Sequence, residues 1–151
     1  MLCLICERIS MIKENNNPYF VYEFETGYAV IGDHQHFYGY TLFLCKEHIT
    51  ELHYLSKEIK QKHLAEMALI YEAVFNAFEP EKMNCELLGM GHAHIHWHIF
   101  PRKTGDTPQL GPVWWLPKEE MLNESKKPNT AELEKIKEKL RFEIKKLICT
   151  N

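Results

Sequence analysis

Four histidines occupy every second position of one short run, His92, His94, His96 and His98, inside Gly91-His-Ala-His-Ile-His-Trp-His-Ile-Phe-Pro-Arg102. Near neutral pH an imidazole serves as a nucleophile, a proton donor or a metal ligand. In an extended strand alternate side chains share a face. The spacing therefore predicts a row of rings roughly 6.5 Å apart on one side, with Ala93, Ile95, Trp97 and Ile99 on the other. Such a strand would pack its apolar face on a core and leave its imidazole face open to a ligand.

A second chemical pair is Cys3-x-x-Cys6. The chain has five cysteines, Cys3, Cys6, Cys45, Cys85 and Cys149. An odd count beside a start that lacks a basic, signal-like segment argues against a disulfide framework. Under reducing conditions a C-x-x-C favours metal or redox chemistry. Cys45 and Cys85 stand in apolar runs and read as small core residues.

With 151 residues, one domain over 1–151 is expected, large enough to bury its own core. Apolar content of 45% and charged content of 26% are ordinary for a globular protein. A net charge of −3 and an isoelectric point near 6.3 argue against a broad nucleic-acid footprint. They leave room for a small phosphate ligand held by local donors. No apolar run approaches the roughly 20 residues that cross a bilayer, so neither a membrane nor a nucleic-acid polymer is an expected partner. The expected location is cytoplasmic.

Positioning the histidines requires a scaffold. Tyr19 to Phe24 is aromatic and β-branched and predicts a strand, Glu25-Thr26-Gly27 a turn, and Tyr28 to Gly32 the returning strand. Tyr40 to Cys45 predicts a third strand, Cys85 to Leu88 a fourth, and the histidine run to about Pro101 a fifth. Ser56 caps a predicted helix that runs to Phe78, with Ile59, Leu64, Met67, Tyr71, Val74, Phe75 and Phe78 as its inner face. Glu79-Pro80 ends it. Lys103 to Asn129 reads as one long loop carrying Trp114 and Trp115, whose simplest reading is core burial. Thr130 opens a last helix with Leu133, Ile136, Leu140, Ile144 and Leu147 inward and a charged outer face. The expected fold is α+β, an antiparallel sheet of about five strands with one long central helix and a C-terminal helix.

The triplet His94, His96, His98 is followed by Ile99 and Phe100, which gives His-φ-His-φ-His-φ-φ with φ apolar. This string resembles the histidine triad (HIT) superfamily of nucleotide hydrolases and transferases. Pro101-Arg102-Lys103-Thr104-Gly105-Asp106 is similar to the tail seen in several of its branches. Cys3-x-x-Cys6, Gly39-Tyr40-Thr41-Leu42 and Lys46-Glu47-His48 also stand in the family's usual order. The resemblance implies a HIT-like fold and covalent catalysis. His96 would attack an α-phosphate and carry a nucleotidyl group, a backbone carbonyl near His94 would orient it, and His98 would bond phosphate oxygens. It implies that Asp33 binds ribose hydroxyls. Arg102 and Lys103 are local cations for a polyphosphate, although surface charge explains them equally well. Relatives place a polar residue just before the triad strand. Met90 stands there and cannot donate, which leaves His92 as a substitute or as a plain loop residue.

The resemblance also implies a structural zinc held by Cys3, Cys6, His48 and His94, a closed four-ligand site that pins the N-terminus to the sheet. No organic cofactor is expected, and a homodimer is implied. The preferred function is hydrolysis or nucleotidyl transfer at the α-phosphate of dinucleoside polyphosphates or nucleoside phosphoramidates, with an adenine nucleotide as partner. The alternatives are a non-catalytic nucleotide-binding or interaction protein on the same scaffold, and a protein whose histidine row itself holds a transition metal. The intact middle histidine favours the enzyme.

Overall fold

Strand β2 (Gly27–Ile31) is buried at all five positions, so the sheet that contains it must be covered on both faces. The computed structural model describes residues 2–150 and shows how. Strands β1 (Phe20–Glu23), β2, β3 (Thr41–Cys45), β4 (Lys82–Glu86) and β5 (His96–Arg102) form one sheet in the order β1-β2-β3-β5-β4. Every pairing is antiparallel. Helix α2 (Lys57–Phe78) connects β3 to the far edge, and α4 (Thr130–Thr150) follows the last strand. The α+β fold expected from the sequence is the fold observed.

One face carries Ala29, Ile31, Phe43, Met83 and Ile99. It packs on Ile70, Val74 and Phe78 of α2 and on Leu133, Ile136, Leu140 and Ile144 of α4. This is the main core. The opposite face carries Tyr28, Val30 and Leu44, which meet Ile5, Ile9 and Ile12 of helix α1 (Leu4–Lys13). Helix α1 was not anticipated. Its signals are short but physical: isoleucines at three-and-four spacing, Cys3 at the N-cap with its sulfur 3.4 Å from the Cys6 N–H, and Lys13 in the last turn. Asn15, at φ 58, turns the chain out of it, a conformation Asn tolerates.

Other boundaries moved. The histidine strand begins at His96, not at Gly91, and His92 to Ile95 approach it as irregular backbone. The four rings therefore do not share one face. Strand β4 lies over 82–86 rather than 85–88. The segment 103–129 folds into the short helix α3 (Lys118–Met121) and two 3-10 turns, Val113–Trp115 and Glu124–Lys126. Trp114 and Trp115 are exposed, at 64% and 47%, rather than buried. Cys45 is buried, and Cys85 only partly so. No helix among the described residues is long and apolar enough to cross a membrane.

Ser56 caps α2 as expected, accepting from the Ile59 N–H at 3.3 Å. The inner face is rotated from the expected one, however. Leu64 and Phe75 are exposed, whereas His63, Glu66, Ile70, Ala73, Val74 and Phe78 are buried. Two polar side chains define that stripe because each has a partner. Glu66 accepts from the Thr26 N–H at 2.9 Å. The His63 Nδ1 lies 2.8 Å from the Thr26 hydroxyl, and its Nε2 accepts from the Trp97 indole N–H at 3.0 Å. Satisfied polar groups tolerate burial where unsatisfied ones do not. The network ties the centre of α2 to the β1–β2 turn and to the residue between His96 and His98.

Burial pushes the His63 imidazole down to about 4. Between that value and the ordinary imidazole pKa of about 6.5, the unfolded chain binds a proton that the folded chain does not. The contribution of neutral His63 is complete above that window and is lost as pH falls through it. Replacing His63 by Gln removes this group. Proton uptake on urea unfolding near pH 5 should fall by about one, and an unchanged uptake would contradict the assignment.

Candidate active site and metal centre

The triad divides between two sites. His94 lies in the loop before β5, and its ring is buried. Its Nε2 is 2.7 Å from the Cys45 carbonyl oxygen. A carbonyl only accepts, so Nε2 carries the proton and Nδ1 presents its lone pair. That lone pair faces Cys3 Sγ at 3.5 Å and Cys6 Sγ at 3.4 Å. His48, just past β3, places Nδ1 3.1 Å from Cys6 Sγ. The four ligand atoms lie within 4.8 Å of one another.

A tetrahedral zinc with Zn–S near 2.3 Å and Zn–N near 2.0–2.1 Å separates neighbouring sulfur and nitrogen ligands by roughly 3.5 Å. The spacings match that geometry. Burial also pushes the His94 imidazole below its usual value, toward the neutral form a ligand needs. Two thiolates and two imidazoles complete a closed structural zinc site, and the hydrogen bond to Cys45 is the outer contact that fixes the ligand's tautomer. A zinc held here would join three segments: the first turn of α1, the end of β3 and the entry to β5.

His96 and His98 lie on β5 and face away from the main core, opposite Leu44 and Leu42 of β3. They line a cavity of about 380 Å³ with Leu4, Ile5 and Arg8 of α1, Val30, Asp33 and His92. Its size and its mix of apolar walls with a few polar groups suit a small organic ligand. His96 is only 6% exposed, yet it reaches this cavity. Its Nδ1 is 2.7 Å from the His94 carbonyl oxygen, so Nδ1 carries a proton, and in the neutral ring Nε2 is the nitrogen with the free lone pair. The His98 ring lies across from it, with centroids 4.9 Å apart. The His98 Nδ1 is 2.6 Å from the Tyr40 hydroxyl. Burial, and secondarily the neighbouring His96, push the His98 imidazole down to about 4.

The other residues singled out from the sequence fall in different places. Asp33 lies at the cavity wall and pairs with Arg8 at 2.9 Å. His92 is an exposed loop residue at the cavity rim. Arg102 does not reach the cavity, which corrects the substrate-binding expectation. Its guanidinium is buried and committed to both Asp106 oxygens at 2.8 Å, to Asn84 at 2.6 Å and to Thr107 at 3.2 Å, above the Phe37 ring. Burial alone would raise the Asp106 carboxyl, but the Arg102 and Lys103 hydrogen bonds hold it below its ordinary value. The tail after the triad is thus a structural clasp, and Gly105 at φ 87 makes its turn. Trp114 does not cover the cavity either. It borders a separate groove along β4, lined also by Asn84, Glu86 and Thr104.

Arg8, His34 and Tyr40 also line the cavity and were not anticipated as site residues. Arg8 was hidden with the unread α1. Tyr40 had a readable signal, since Tyr40, Leu42 and Leu44 alternate onto one face of β3 beside the histidines.

The HIT domain family matches residues 13–105. The chain belongs to the HIT domain family. The protein hit of Bacillus subtilis strain 168 is 31% identical over 99 residues, 62% of this HIT chain and 68% of that one. A crystal structure of a member of the HIT family from Bacillus subtilis shares 27% identity, covers 76% of this chain and 82% of that one, and superposes with a TM-score of 0.62. A zinc-bound histidine triad family protein from Mycobacterium smegmatis has the same fold over 99% of this chain and 97% of its own, with 21% identity and a TM-score of 0.63. The match at 13–105 excludes Cys3 and Cys6, so the metal centre of this HIT protein stands on its own geometry.

Elemental analysis of the purified protein should find one zinc per chain. Cys6→Ser should lower zinc occupancy, reduce the melting temperature and speed hydrogen exchange in α1 before the main core opens. Full protection of α1 in the zinc-free protein would contradict a pinning role.

Proposed function

We propose that this HIT protein cleaves nucleoside polyphosphates or phosphoramidates at the α-phosphate through a nucleotidyl group carried on His96. The observation that carries the reading is the hydrogen bond from His96 Nδ1 to the His94 carbonyl, beside a cavity of nucleotide scale. In the neutral ring it leaves Nε2 unprotonated and oriented as the nucleophile. In the first step Nε2 forms a bond to the α-phosphorus as the bond to the leaving oxygen or nitrogen breaks; the leaving group takes the electron pair and, where it is an amine, a proton from solvent. In the second, a water oxygen attacks the same phosphorus and releases its proton to solvent, the P–N bond breaks, and the imidazole returns with its lone pair. His98 supplies hydrogen bonding to the phosphate oxygens as charge builds.

The remaining wall supports a nucleoside. Leu4, Ile5 and Val30 offer an apolar surface for a base, adenine being the base proposed. Asp33, held by Arg8, offers a carboxylate to ribose hydroxyls. His92, which lines the same cavity, is the proposed contact for the outer phosphates. Zinc takes no part in the chemistry, because four protein ligands leave no open position. The proposed assembly is a homodimer, which rests on the sequence resemblance.

One observation favours a second reading. Met90 is fully exposed and offers no donor where a phosphate-binding polar side chain would help. A protein that holds a nucleotide without cleaving it would carry this feature.

Incubation with diadenosine tetraphosphate and rapid acid-free quenching for mass spectrometry separates the two. Hydrolysis should produce AMP with an adenylyl adduct transiently on His96. His96→Ala should reduce kcat by at least roughly 10³-fold with nucleotide affinity retained. Binding without product in the unaltered protein would establish the second reading.

A further inference from the structure

Tyr40 stands immediately before β3 and lines the cavity with the histidines, and the structure fixes its ring closely. It is 8% exposed. The ring stacks on Phe100 with centroids 4.3 Å apart and planes 10° from parallel. A Cβ at Gly32 would stand 2.2 Å from it, so only glycine there leaves room. Gly39, at φ 93, sets the backbone just before it, and the Gln35 amide donates to its carbonyl at 3.0 Å. The hydroxyl at the end of this fixed ring lies 2.6 Å from His98 Nδ1.

We propose that Tyr40 is the positioning residue for His98: its O–H donates to Nδ1, holds the imidazole as the Nε2–H tautomer and aims the ring's single N–H into the cavity, where it donates to a phosphate oxygen. This rests on the function proposed above for the same site.

The direction of the hydrogen bond follows from proton counting. Among the described residues, the Tyr40 hydroxyl has His98 Nδ1 as its one hydrogen-bond partner. If Nδ1–H donated to the phenol, the phenolic proton would be left without an acceptor in a buried place, at a desolvation cost of roughly 1–3 kcal/mol. If the phenol donates, every proton is used. Both groups are held neutral. Burial first, then the carboxylates of Asp33 and Glu86, push the phenol well above its ordinary range, and burial with His96 pushes the imidazole down. A neutral His98 has one N–H, and with Nδ1 occupied it sits on Nε2.

Two rings two residues apart are thereby given opposite tautomers. A carbonyl, which only accepts, makes His96 a base at Nε2. A buried phenol, which donates, makes His98 a donor at Nε2. The pair can then divide the work on one phosphate without competing as nucleophiles.

Long-range ¹H–¹⁵N NMR of the imidazoles in the unliganded protein reads the tautomer directly and needs no turnover. His98 should show a protonated Nε2 and a bare Nδ1 bonded to a hydroxyl proton. In Tyr40→Phe, which keeps the stacked ring, His98 should become a tautomer mixture. Its kcat on diadenosine tetraphosphate should fall by roughly tenfold, the equivalent of one lost hydrogen bond, with KM changed less than about threefold. A protonated Nδ1 on His98 in the unaltered protein overturns the proposal whatever the activity. So does a Tyr40→Phe protein whose His98 tautomer and kcat both match the original. If the unaltered protein has no turnover, the functional reading fails on its own, and the tautomer alone decides the role of Tyr40.

Discussion

The structure depends on one residue used twice. The His94 ring joins the Cys3, Cys6 and His48 cluster, while its carbonyl oxygen accepts a hydrogen bond from His96 Nδ1 at 2.7 Å. The four-ligand cluster and the His96 imidazole are thus adjacent on one short stretch of backbone. A ligand ring held by a closed tetrahedral site cannot rotate freely, so the peptide that carries it is held too. The irregular run from His92 to Ile95 would otherwise be a loop at the mouth of a cavity, with the mobility such loops have. Anchoring it converts a loop carbonyl into a fixed acceptor.

The same anchoring supplies a wall of the cavity. Helix α1 covers the β1–β3 part of its sheet face, through Ile5, Ile9 and Ile12. It is ten residues long, below the length at which an isolated helix is stable in water. Burial of three isoleucines and two thiolate ligands at its N-terminal end hold it in place. Leu4, Ile5 and Arg8 then face the ligand space. On the other side of the sheet, α2 and α4 make the large core, and His63 reaches through it to the Trp97 indole. The strand with the histidines is therefore clamped from both faces, by apolar packing below and by polar contacts above. Three histidines with the same side chain acquire three behaviours solely from the partner on the ring's other nitrogen.

Much of this was legible in the chain. The strands at 20–23, 27–31 and 41–45 carry β-branched and aromatic residues, and α2 and α4 carry caps and periodicity, so their physics is local. The alternating histidines with two apolar residues after them were sufficient for the family, and the four metal ligands were readable with it. What was not legible depended on contacts distant in sequence. The true inner face of α2 includes His63 and Glu66, which become core residues only because Thr26 and Trp97 meet them. Arg102 looked like a free cation until Asp106, Asn84 and Thr107 enclosed it. The strand start at His96 reflects His94 turning away to its sulfur neighbours, a tertiary demand that overrides alternation. Helix α1 is weakly signalled because its ten residues give few periods of an apolar face.

The central claim is that the His96 ring, fixed from behind by the His94 carbonyl, meets the α-phosphorus from the cavity. A crystal structure of the zinc-loaded protein with AMP bound tests it most directly. The phosphorus should lie in line with His96 Nε2, with the ribose against Asp33 and the Nδ1 contact to His94 intact. A nucleotide bound instead in the groove along β4, or a phosphate approached by no nitrogen of His96, would contradict it.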